Sequence, residues 1–214
     1  MSDSNPVTRT AYTCVLFDLD NTLVDTDPLI RVALSKCGCS NVEQLPDELL
    51  RETSPVHILQ QHGCGQASDD YWPVYDALAA DKAQLLDGET PNVLDSLSRR
   101  GVRLGIVTSC RKPTTEALLR ACGILHFFSR AIVTYGTCRQ HKPHPEPILR
   151  ALVMLQHGPT RAIYIGDCEK DEKASHGAGV HFGLASWARL TEQQCGDMVA
   201  DVTLNRIRDI LDFT

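Results

Sequence analysis

The side chains in this sequence best suited to binding a metal ion or an anion fall in a few short clusters. Asp18, Asp20 and Thr22 sit together in F-D-L-D-N-T-L, and Asp167 and Asp171 in G-D-C-E-K-D. Between them in the chain lie Thr108-Ser109 and Lys142, the lysine within H-K-P-H-P. Carboxylates brought to one place repel by roughly 4 kcal/mol per pair at about 4 Å and an effective dielectric of about 20. Such a cluster requires a cation. Hard oxygen ligands suit Mg²⁺, which keeps waters and commonly bridges to substrate phosphate. Four aspartates (−4), a divalent metal (+2) and Lys142 (+1) sum to −1, and protonating Asp20 makes the site neutral. A phosphate dianion could then enter beside a carboxyl poised to donate to the leaving oxygen. On this reading the metal is obligatory.

These residues need elements to bring them together, and the hydrophobic pattern supplies them. Cys14-Val15-Leu16-Phe17 is a short apolar run that stops at Asp18, as a buried parallel strand would. The run from Val102 to Val107 ends at Thr108-Ser109, and Ala162 to Gly166 ends at Asp167. Helices are expected between them: after Thr90-Pro91 up to Gly101, from Pro113 to before Gly123, from Pro145 to Gln156, and from Thr203 to Asp212. Alternating strands and helices imply βαβ units. The fold class is therefore α/β, a doubly wound parallel-sheet (Rossmann-like) core, whose ligands bind beyond the carboxyl ends of the strands. Residues 25–86 break the alternation. They read as an inserted α-helical domain with helices at Asp27 to Lys36 and Ala67 to Lys82, leaving 14–24 and 87–214 as the core and 1–13 as a flexible tail.

Composition narrows the function classes. At ~150 residues per domain, 214 residues suit one domain with an insertion, and 43% hydrophobic with 22% charged residues describes a globular chain. Charge is 21 basic against 27 acidic, net −6, with no Lys/Arg run to track a phosphate backbone, so nucleic acid is not an expected partner. No apolar stretch approaches the ~18 residues of a membrane span, and the first residues lack a secretory h-region. A cytoplasmic location is expected. Nine cysteines without a C-x-x-C pair indicate neither a zinc ribbon nor a disulfide framework; Cys14 reads as a core residue.

F-D-L-D-N-T-L at 17–23, V-T-S at 107–109, K-P-H-P at 142–145 and G-D-C-E-K-D-E-K-A-S-H-G-A-G at 166–179 resemble, in order, the four motifs of the haloacid dehalogenase superfamily. An insertion directly after the first motif is where that superfamily places its helical cap, and the small cap resembles that of the phosphoglycolate phosphatase group. The resemblance implies Asp18 as nucleophile, forming an aspartyl-phosphate, and Asp20 as general acid and then base. It implies Thr22, Thr108, Ser109 and Lys142 as phosphoryl-binding groups, Lys142 neutralising charge. Asp18, Asp20 and Asp167 would hold Mg²⁺, with Asp171 in support. The implied enzyme is a phosphatase of a small phosphorylated metabolite, working as a monomer or homodimer. The alternatives are a phosphomutase of the β-phosphoglucomutase kind, disfavoured because Asp25 to Val32 contains no histidine, and a phosphate-binding signalling module, which would be shorter and lack the insertion. Dehalogenation is disfavoured because that branch does without Asp20.

Further residues carry narrower expectations. Asn21 stands where Gly is frequent and tolerates a left-handed backbone. Arg51, His57 and His62 flank Ser54-Pro55, where a cap loop could reach toward the core and select substrate. Tyr71, Trp72 and Tyr75 are expected to pack within the cap rather than stack on substrate, and His141, His144 and His176 to be peripheral. Cys110 and Cys168 adjoin site residues and would obstruct the site on oxidation unless buried.

Overall fold

A computed structural model of the chain describes residues 11–61, 68–188 and 190–214. Six parallel strands, β1 (Cys14–Phe17), β2 (Arg103–Arg111), β3 (Ile132–Tyr135), β4 (Ala162–Gly166), β5 (His181–Ala185) and β6 (Val202–Leu204), form one sheet in the order β3-β2-β1-β4-β5-β6. The chain moves outward from β1 in one direction and from β4 in the other, so the order reverses between them and opens a crevice at their carboxyl ends. Register brings the strand ends level: Phe17 pairs with Ile106 on one side and Ile165 on the other. Asp18 and Asp167 therefore emerge side by side.

Period-two alternation sends Val15, Phe17, Ile106, Ile163 and Ile165 into one buried layer and Cys14, Leu16, Val107 and Tyr164 into the other. Helices α7 (Glu146–Leu155) and α8 (Glu169–Gly177) cover the second layer, with Ile148, Ala151, Leu152 and Ala174 buried in it. On the first layer lie α5 (Thr90–Arg99) and α6 (Lys112–Ala121), both with proline in the first turn as the sequence suggests. The doubly wound class is as expected.

Between β1 and β2 stand α1 (Asp27–Lys36), α2 (Asp47–Glu52), α3 (Pro55–Gln61) and α4 (Ser68–Lys82), with no strand among the described residues. The short α2 and α3 were not anticipated, since six or seven residues show too little of a 3.6-residue period. The expected start of α4 at Ala67 lies outside the described residues, as does His62.

Three local expectations are corrected. The second strand does not stop at Val107 but continues to Arg111 through an irregularity in its pairing with β3. Thr203 to Asp212 is not a helix: β6 occupies 202–204 and a 3₁₀ segment runs over Ile207–Phe213, burying Ile207 and Ile210. At the other end, Tyr12 and Thr13 are tied down rather than flexible, because their amides bond Phe213 and Arg161 carbonyls and Tyr12 is buried. No described helix is long and apolar enough to cross a membrane.

Candidate active site

Lys142 reaches from the loop after β3 into the crevice, and its ammonium is the hub of the site. Nζ donates to Asp18 Oδ1 at 2.7 Å, Asp171 Oδ1 at 2.7 Å and the Tyr164 hydroxyl at 2.9 Å. Its side chain is 5% exposed. Burial alone would push this ammonium down, but Asp171 and Asp18 outweigh it and hold it well above the usual lysine range. Tyr164, on β4, also donates to the Val107 carbonyl at 2.8 Å and so braces the lysine against the sheet.

Asp171 is fully buried and saturated. Oδ1 takes Lys142 and Tyr164, while Oδ2 accepts the amides of Asp167 and Cys168 and the Cys168 thiol. It thus closes the N-terminus of α8 on itself. The close approach demands Gly166, since a Cβ there would stand 2.6 Å from Asp171 Cγ.

The other carboxylates are short of positive charge. Burial pushes the Asp18 carboxyl well up, with Asp171, Asp167 and Asp20 adding to the shift and Lys142 opposing it. Burial also raises Asp20, against the hydrogen bond from Thr108 Oγ1 to Oδ2 at 3.1 Å. Asp167 is pushed up to about 7 by burial and by Asp171, against Arg51, Lys142 and Thr22. Every one of these carboxylates offers hard oxygen, and together they hold more negative charge than Lys142 can balance. A divalent oxygen-seeking ion such as Mg²⁺ fits that donor set. Cys168 Sγ lies within 4.8 Å of the Asp167 and Asp171 oxygens, but a thiol that donates to Asp171 suits neither Mg²⁺ nor any hard cation.

Asn21 has φ +56°, the left-handed backbone anticipated for it. Its side chain adds something the pattern does not show: Nδ2 donates to Asp27 Oδ1 at 2.6 Å and Oδ1 accepts the Thr26 amide at 3.3 Å. Asp27 in turn meets Arg51 of α2, whose Nη1 lies 3.8 Å from Asp167 Oδ2. The inserted helices thereby touch the core crevice, enclosing a cavity of about 960 Å³ bordered by Asp18, Asp20, Ser109, Lys142, Asp167 and Arg51.

Asp18, Asp20, Ser109, Lys142 and Asp167 are all brought to this cavity. Thr22 is not: it is 1% exposed and donates to Asp167 Oδ1 at 3.2 Å. Thr108 also turns inward, with its hydroxyl given to Asp20 and accepting the Cys110 amide. His57 stays on the surface against Gln61, and His176 pairs with Asp201. His144 Nδ1 accepts the Glu146 amide, whereas His141 stacks on Tyr135 at the cavity rim, ring centres 4.3 Å apart. Tyr71 and Tyr75 are buried and stack on each other, but both also line the cavity, so the expectation that they serve only to pack the cap is corrected in part. Trp72 differs, because the Arg111 guanidinium lies over its ring at 4.0 Å while Arg111 Nη2 donates to Asp76 at 2.9 Å. Sequence reasoning missed Tyr164 and the Arg111–Trp72–Asp76 contact. Tyr164 sits in an apolar run that reads only as core, and the other contact joins residues far apart in the chain.

A doubly wound parallel sheet with acidic residues and one buried lysine at its switch point, roofed by an inserted helical unit, defines the class of α/β-core hydrolase to which the chain conforms. The chain belongs to the haloacid dehalogenase-like hydrolase family, whose model matches residues 15–185. It is 30% identical to a pyrophosphatase, PpaX, of Bacillus velezensis over 97% of this chain and 99% of that one. It is 31% identical to a phosphoglycolate phosphatase of Xanthomonas campestris, over 90% and 91%. The fold matches that of CbbY from Rhodobacter sphaeroides, solved with phosphate, at TM-score 0.74 and 24% identity, covering 93% and 96%.

Proposed function

We propose that the protein is a Mg²⁺-dependent phosphatase of small phosphorylated metabolites that works through an aspartyl-phosphate in the cytoplasm. The observation that carries this reading is Lys142 Nζ bridging Asp18 and Asp171 at 2.7 Å each, with the Asp20–Thr108 pair beside them. An Asp18 oxygen attacks phosphorus and the bond to the leaving oxygen breaks. Asp20, whose carboxyl burial keeps raised, gives that oxygen its proton. Asp20, now a carboxylate, takes a proton from the water that attacks the aspartyl-phosphate, and Asp18 is released with inorganic phosphate. Lys142 holds the nucleophile in place and offsets the phosphoryl charge, and Ser109, which lines the cavity, would offer its amide to the phosphoryl oxygens. Asp18, Asp20 and Asp167 would hold Mg²⁺, which supplies charge neutralisation at the phosphoryl oxygens. Asp171 and Thr22 orient Lys142 and Asp167 respectively.

Residues 25–86 act, on this reading, as a cap that excludes water and selects the leaving group. The names of the relatives make inorganic pyrophosphate and phosphoglycolate the first substrates to try. The test is phosphate release from a panel of these and of sugar and nucleoside phosphates with Mg²⁺, comparing the wild type with Asp18→Asn. The variant should fold and lose turnover of every substrate, and steady hydrolysis above contamination by it would sink the covalent mechanism.

A further inference from the structure

Arg51 places a cation 3.8 Å from Asp167, and it comes from the inserted helices rather than the core. Its side chain is 10% exposed and each of its three nitrogens faces a partner. Nε and Nη2 meet Asp27 Oδ2 at 3.4 and 3.2 Å, and Nη1 meets the Ala188 carbonyl at 3.4 Å and Asp167 Oδ2 at 3.8 Å. Lys142 is spent on Asp18 and Asp171, and Arg51 stands within ion-pair distance of Asp167. A guanidinium cannot be deprotonated and carries its charge permanently. A divalent ion bound through Asp167 would bring two further positive charges against it in a partly buried space, where repulsion is poorly screened.

We propose that Arg51 is the built-in counter-cation of the metal site, clasping the inserted helices to the core when the metal is absent and setting the affinity for divalent cation. This rests on the Mg²⁺ reading above. Linkage makes the effect reciprocal: whatever factor Arg51 removes from metal affinity, the metal removes from the contact between α2 and the core. Loading the metal therefore weakens the contact between α2 and Asp167, while Asp27 keeps the guanidinium on the insertion, at the moment the site becomes competent for an anionic substrate.

The experiment titrates Mg²⁺ into the full chain by calorimetry without phosphate, for wild type, Arg51→Gln and Arg51→Lys. Arg51→Gln should bind Mg²⁺ about tenfold more tightly, the effect of removing one nearby unit charge worth about 1.4 kcal/mol. Arg51→Lys, which keeps the charge but loses the fork, should fall between it and wild type. As a measurement independent of any variant's folding, Mg²⁺ should raise amide hydrogen exchange in α2 of the wild type. Equal or weaker Mg²⁺ binding by Arg51→Gln, or unchanged exchange in α2 with metal bound, overturns the counter-cation role alone. No Mg²⁺ binding by any of the three chains overturns the metal reading and this inference with it.

Discussion

At the scale of single residues the site is a problem in charge balance, and Lys142 is where the balance is tightest. It is 5% exposed between an Asp18 side chain that is 8% exposed and an Asp171 that is fully buried. Lys142→Met keeps much of the volume and removes the charge, leaving two buried carboxylates facing each other. Urea denaturation should show a loss of about 3–5 kcal/mol near neutral pH, the cost of breaking a buried ion pair from one side, and turnover should vanish. The loss should shrink in acid, where the orphaned Asp18 carboxyl protonates; a variant as stable as wild type at neutral pH would mean that Lys142 does not offset buried charge there. The two cysteines beside the site invite the opposite prediction. Both thiols are half-buried and line the cavity, but desolvation and the neighbouring aspartates push Cys110 and Cys168 well above the usual range, so neither is a thiolate at neutral pH. Peroxide should therefore inactivate wild type and a Cys110→Ser, Cys168→Ser double variant at the same rate, and protection by the double variant would show one of the thiols to be reactive.

Among the elements, the turn from β4 into α8 does the most to assemble the site, because it positions Asp167 and saturates Asp171 within a few residues. Gly166 permits it, since any Cβ there would collide with the Asp171 carboxylate. Gly166→Ala should lower both the melting temperature and the turnover number. Gly183→Ala on β5 is the control: the nearest atoms its Cβ would meet are Ile163 and Ile165 side chains, at 3.0 and 3.3 Å, so it should cost stability by overpacking, about 1–3 kcal/mol, without disturbing the carboxylates. Equal turnover in the two variants at a temperature where both are folded would deny the turn its special role. On the opposite side of the crevice, the end of β2 meets α4 through Arg111, Asp76 and Trp72, which gives the insertion a second charged contact with the core besides Arg51. Both contacts join an inserted helix to the end of a core strand or the loop that follows it, the places where side chains point into the crevice.

Over the whole molecule, the excess of buried carboxylate should make the metal-free protein sensitive to pH. Asp167 has a folded value of about 7, above the usual carboxylate range, so between that range and about 7 the folded chain holds a proton that the unfolded chain releases. The folded state then binds more protons, and stability falls as pH rises through this window. The metal-free melting temperature should be higher near about pH 6 than near about pH 8, and added Mg²⁺ should stabilise most at the higher pH, where Asp167 is ionised. A flat profile without metal would contradict the charge deficit. The amino-acid sequence alone determined much of this molecule: which apolar runs become buried strands, that Asp18 and Asp167 end two of them, and where proline opens the flanking helices. Those features are legible because burial and capping leave local, periodic marks. The edge strands β3 and β6, of four and three residues, leave no such mark, and the apolar spacing of Ile207, Ile210 and Leu211 serves a 3₁₀ segment as well as a helix. Only the tertiary structure decided that Thr22, Thr108 and Asp171 turn toward protein partners, that Tyr164 braces Lys142, and that Arg51 reaches Asp167. A side chain's facing and its charge partner are set by where packing at the switch point brings distant segments together, and no local pattern encodes that.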